Sequence, residues 1–243
     1  MSEPDRQSFS AGALRMIDGA ISGLVRATLS TPANLVSEVD RFRLIREKTL
    51  SLLGGLSESQ AAWTSRQGTW SIAQIADHLL RSEELYRTQF NRLIAVALQG
   101  KSTSIQIDLR EIDTSLAWIP VNVLRVFETP VRLFSRMVPD AIRETLIRYP
   151  IVPASNPNAA EPRTDLSVDT LRVDLAEAMA ITVKLLSGPL PANVDRPTID
   201  HPLMGSNNLP ALFRILMAHE ERHQGQIAAL RGSSDFPGPT QAK

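Results

Sequence analysis

The sequence predicts an all-α protein, an antiparallel four-helix bundle. Three observations lead there. Four long stretches carry apolar residues at helical spacing, their ends are marked by strong start and stop residues, and nowhere does a run alternate apolar and polar as a strand would. A chain of 243 residues is long enough to bury a sizeable core around such helices.

Residues 1–34 form an N-terminal extension. Residues 12–29 show helical spacing weakened by Gly12, Gly19 and Gly23, and Ser30, Thr31 and Pro32 end the stretch. The bundle spans 35–232. Its first helix covers 35–53, with Val39, Phe42, Ile45 and Leu52 facing inward and Gly54 and Gly55 stopping it. A polar connector runs to Trp70, an anchor at the start of the next helix. That helix covers 71–99 and opens on a capping box of Ser71 and Gln74, followed by an inward stripe of Ile75, Leu79, Tyr86, Phe90, Leu93 and Ala97.

An insertion occupies about 101–163. Helical patches at 116–127, 131–137 and 141–147 are broken by Pro120, Pro130 and Pro139, and a proline- and asparagine-rich loop follows. The patches carry Trp118, Phe127 and Phe134 beside Arg125, Arg132 and Arg136, which suits a lid or an interaction surface, but aromatic residues at this spacing more often simply pack on the body. The third bundle helix covers 167–186 through Leu171, Leu175, Met179, Val183 and Leu186. A loop containing His201 leads to the fourth, 209–230, capped by Asn208 with Pro210 in its first turn and Gly232 past its end. Residues 233–243 are a C-terminal tail.

The chemistry lies on the inward stripes. His219 and His223 are four residues apart on the last helix, in line with Leu212, Ile215, Leu216, Ile227 and Leu230, so both imidazoles reach one point in space. His78, beside Leu79, faces the same core from the second helix. A lone core histidine is more often hydrogen-bonded structure than ligand, but three on converging stripes call for a shared divalent metal. No cysteine is present, so the chain offers no disulfide, no thiolate ligand and no thiolate nucleophile. His201, between Asp200 and Pro202, reads as a loop residue. Gln226 is placed either to orient a ligand or to be a satisfied amide.

Balanced charge, 26 basic against 26 acidic residues, gives no electrostatic case for nucleic acid or an anionic membrane. No signal-peptide pattern and no long apolar span is found, which leads to the expectation of a cytoplasmic protein without membrane contact.

Three motifs in order, GTWSIAQIADHL in the second helix, HPLMG in a loop and HEERHQGQI in the last helix, resemble the DinB-like (damage-inducible) superfamily of metal-dependent enzymes. The resemblance covers residues 35–100 and 164–232. It implies a four-helix bundle holding zinc or nickel through His78, His219 and His223, and dimers formed through bundle faces. It further implies transfer chemistry with an external low-molecular-weight thiol acting on a small-molecule electrophile, or a related hydrolysis with Glu220 as the nearest candidate base. A chain with no cysteine takes its thiol from outside.

Two other readings stand beside it. His219-Glu220-x-x-His223 satisfies the H-E-x-x-H letters of zinc peptidases, but Gln226 and Ala229 stand where an extended motif of that kind wants glycine and histidine, and no strands precede the helix. Glu220 and Glu221 are otherwise the charged side of an amphipathic helix, with Arg222 as their partner. The other reading is a stress-response binding module with a structural metal or none. Structural zinc sites are normally closed by four protein ligands, so three histidines favour an open, catalytic type of site.

Overall fold

The computed structural model describes residues 33–107, 162–201 and 205–238. Most of the extension, the helical patches expected at 116–147, the loop after them and the end of the tail lie outside the described residues. The described chain is mostly helical. Four long helices, α1 (Ala33–Leu53), α3 (Ile72–Leu98), α4 (Val168–Ser187) and α5 (Leu209–Arg231), fall within a few residues of the predicted spans. None is long and apolar enough to cross a membrane.

Helix ends follow from side chains that satisfy the first free N–H groups. Ser71 accepts from the Gln74 backbone while Gln74 reaches back to the Ser71 N–H, closing the predicted capping box. Ser167 caps α4 through Thr170 N–H, and Asn208 caps α5 through Ala211 N–H at 3.0 Å. Past α1 the chain turns at Gly55, whose φ of 72° favours glycine.

Two elements depart from the sequence reading. The connector contains a short helix, α2 (Glu58–Ala62), opened by a second capping box of Ser57 and Gln60. A small sheet also exists where no strand was expected. Its strands are β1 (Ser104–Gln106), inside the start of the insertion, β2 (Thr198–His201) and β3 (Gly205–Asn207). β1 pairs parallel with β2, Ile105 opposite Ile199, and β2 pairs antiparallel with β3. With strands this short, alternation cannot show in the sequence.

α1 and α3 each pack against both α4 and α5. Contact order along the helices gives their directions. Phe42 meets Phe213, Thr49 meets Glu220 and Arg231 reaches the Leu52 carbonyl, so α1 and α5 run parallel. His78 meets His219 while Phe90 meets Phe213, so α3 and α5 run antiparallel. Asp77 binds Arg163 ahead of α4 and Glu83 binds Thr182 within it, so α3 and α4 run parallel. The expected antiparallel packing is thus corrected at two contacts. The physical reason is the long connection between α3 and α4, which lets the chain return to its starting level before the next helix.

The interior is divided into three layers. One apolar cluster includes Phe42, Phe90, Leu93, Leu212 and Phe213, joined by Ile107 and Ile199 from the sheet end. A second includes Leu53, Ile72, Leu79, Leu171 and Ile227. Between them, Arg46, Thr49, Glu83, Thr182 and Glu220 are fully buried and bonded to one another. The Arg46 guanidinium gives Nε to Glu220 Oε1 at 2.8 Å and Nη2 to Glu220 Oε2 at 2.9 Å. Nη2 also reaches Glu83 Oε2 at 2.8 Å, and Nη1 reaches the Leu175 carbonyl at 2.6 Å. Burial works against the charge on Arg46, but the facing carboxylates of Glu220 and Glu83 outweigh it and hold its pKa above the ordinary arginine value. Thr49 and Thr182 each add a hydroxyl donor at 2.6 Å, to Glu220 and Glu83 respectively.

Replacing Ser71 with alanine removes an N-cap at the start of α3 and is expected to cost about 1 kcal/mol of unfolding free energy. A urea denaturation midpoint compared with wild type checks this.

Candidate metal centre

His78 projects from the first third of α3, His219 from the middle of α5 and His223 from its second half. The antiparallel crossing of these two helices brings all three rings together. His78 Nε2 lies 3.1 Å from His219 Nε2, and one nitrogen from each of the three rings falls within 4.8 Å of the others. Each ring is essentially inaccessible to water. Ring centroids are 5.1 Å apart for His78 and His219, 4.8 Å for His78 and His223, and 4.5 Å for His219 and His223.

His223 carries the clearest sign of a ligand. Its Nδ1 stands 2.6 Å from Gln226 Oε1, one turn along α5. An amide oxygen only accepts, so Nδ1 carries the proton and Nε2 keeps its lone pair. That Nε2 is buried and makes no hydrogen bond. An acceptor left so would cost about 1–3 kcal/mol, and a bound cation would answer it. Burial first, then the neighbouring rings of His219 and His78 and the charge of Arg222, push the His223 pKa well below its usual value, so the ring is neutral as a ligand must be. A tetrahedral metal with bonds to nitrogen near 2.0–2.1 Å needs nitrogens roughly 3.3 Å apart. The 3.1 Å separation of His78 and His219 is already close to this. The three residues fit a divalent metal, and the Gln226 amide oxygen holds the His223 ring from its other nitrogen.

Trp70, half-buried just before α3, forms one wall. Its ring centroid lies 4.7 Å from that of His78 and 6.4 Å from that of His223, nearly parallel to the latter. Sequence spacing gave Trp70 only an anchoring role. Its neighbours add a second one, covering two imidazoles.

Glu220 sits one residue from His219 but belongs to the Arg46 network. Both its oxygens are engaged, Oε1 by Arg46 and Thr49 and Oε2 by Arg46. Glu221, on the neighbouring face, pairs with Arg41 at 3.5 Å. On the flank of α3, Asp77 next to His78 is buried and takes the Arg163 backbone N–H at 2.7 Å and Nη2 at 2.6 Å. The His201 backbone pairs with Gly205, while its side chain lies outside the described residues. A separate cleft of about 540 Å³ is lined by Glu58, Ser71, Gln74, Arg163, Asp165 and Leu171 and by none of the histidines. Arg46 and Glu83 were missed from sequence. The available signal was their position on apolar stripes, four residues past Phe42 and Leu79.

The fold and the site are those of a mostly helical protein with three buried histidines that could hold a metal ion. The chain belongs to the DinB superfamily, whose family profile matches residues 41–227. Neither the curated proteins nor the solved structures contain a match.

Because His223 has a lowered folded pKa, the unfolded chain binds the extra proton as pH falls below about 6.5. Stability of the metal-free protein from this group is therefore full above that pH and is lost on acidification. Guanidinium unfolding across this range should show a shallower pH dependence in His223→Asn than in wild type.

Proposed function

We propose that this DinB superfamily protein is a metal-dependent enzyme whose zinc or nickel ion is held by His78, His219 and His223. The observation that carries the reading is the buried, unbonded Nε2 of His223 beside the close His78–His219 pair. Three neutral imidazoles leave a metal its full charge and at least one position for a substrate atom, so the group supplies Lewis-acid activation when bound. The four long helices are the bundle of that family, and the working form is a cytoplasmic homodimer acting on a small molecule.

Transfer of an external low-molecular-weight thiol to a small electrophile is better supported than hydrolysis. Hydrolysis wants a free general base beside the metal, and the nearest carboxylate, Glu220, already accepts three hydrogen bonds from Arg46 and Thr49. The same occupancy weighs against a peptidase, in which that glutamate would have to take a proton from water. Gln226 and Trp70 keep their roles whatever the substrate: one fixes the tautomer of His223, the other shields His78 and His223 from water. A binding module with no metal would leave the His223 acceptor unanswered.

Untagged protein is expected to contain about one equivalent of zinc or nickel per chain, lost in His78→Ala and in His219→Ala, as read by inductively coupled plasma mass spectrometry. Wild type that remains metal-free after reconstitution would overturn the proposal. With metal present, consumption of an electrophile that requires both the metal and an added thiol supports transfer. Ester or amide cleavage without any thiol would replace transfer with hydrolysis.

A further inference from the structure

We propose that Arg46 is a positioning residue of the metal centre, acting through Glu220 and Glu83 on the two helices that carry the histidines. This rests on the metal-centre reading above. Arg46 contributes nothing to the histidine cluster directly. Its guanidinium joins α1 to Glu220 on α5, to Glu83 on α3 and to the Leu175 carbonyl on α4, four bonds of 2.6–2.9 Å from a side chain buried to 1% exposure.

Helix geometry converts these bonds into control of the site. Glu220 follows His219 directly, so any rotation of α5 that loosens Glu220 swings His219 and His223 through the same angle. A side-chain tip lies about 6 Å from the helix axis, and a turn of roughly ten degrees moves it by about 1 Å. Metal–ligand distances tolerate only about 0.2 Å. Glu83 lies five residues beyond His78 and fixes α3 in the same way, with Thr182 holding its other oxygen at 2.6 Å. Apolar layers above and below do not set rotation so tightly, since aliphatic contacts are not directional. A planar guanidinium shared between two carboxylates has one geometry. Gln224 reinforces it by donating to the Ile45 carbonyl at 2.6 Å and to Thr49 Oγ1 at 3.0 Å, which ties α5 to α1 one turn further along.

The test measures cobalt(II) affinity and visible absorption, zinc affinity by competition with a chromophoric chelator, and thermal stability in Arg46→Lys, Glu220→Gln and Thr49→Val. Phe213→Leu serves as a comparison variant that loosens the distant apolar cluster. At temperatures where every variant is folded, Arg46→Lys and Glu220→Gln are expected to bind cobalt about tenfold more weakly and to show an altered absorption band. Thr49→Val, which removes one donor to Glu220 and leaves the guanidinium in place, keeps the test available if the charged variants do not fold, and shows a smaller loss in the same direction. Phe213→Leu is expected to melt earlier with unchanged cobalt affinity and spectrum. Lower melting temperatures with wild-type cobalt affinity and spectrum in all three network variants would overturn the positioning role alone. A wild-type chain that takes up neither cobalt nor zinc would overturn the centre itself.

Discussion

A guanidinium with no access to water must have its charge and its donors answered by the protein, or the fold does not form. Arg46 meets that demand from three other helices at once, and so the long helices cannot be moved independently. Removing Arg46 would leave buried carboxylate charge uncompensated on Glu220 and Glu83, a loss of about 3–5 kcal/mol, a large part of what a domain this size has to spare. The polar layer therefore sets the relative height and rotation of the helices. Above and below it, the two apolar clusters supply the bulk of the favourable burial.

The histidine cluster lies beside this layer and inherits its rigidity. His219 and Glu220 are consecutive, yet they face different partners: one meets His78 across α3, the other meets Arg46 across α1. Adjacent positions on a helix are separated by about 100°, which is enough to send a histidine of the cluster and a structural carboxylate to different partner helices. The letters H-E-x-x-H carry no information about which side the glutamate takes. Its bonding partners do.

Much of this was legible in the sequence, and the reasons are local. Ser71 with Gln74, and Asn208, are caps whose action extends over three residues, so they mark helix starts without any knowledge of the fold. His78, His219 and His223 stood out because imidazoles are unusual on an apolar stripe. Arg46 and Glu83 sat on stripes too and were overlooked, since their meaning emerges only when two helices distant in sequence face each other. The sheet was missed for a related reason: Gln106 finds Asp200 94 positions away, and strands of three or four residues have no period to read. Helix direction was likewise hidden, because it depends on how far the intervening chain travels.

That last point bears on how such a chain can change over time. With α3 and α4 parallel, the polypeptide leaving Leu98 must return along the length of α3 before Val168 can begin. At 1.5 Å per helical residue the return is about 40 Å, or at least a dozen extended residues. A minimum length is compulsory, whereas composition beyond it is not. The crossover is thus a place where the gene can lengthen, acquire new elements or diverge quickly while the helices keep their order, and where shortening below that limit would force a different topology.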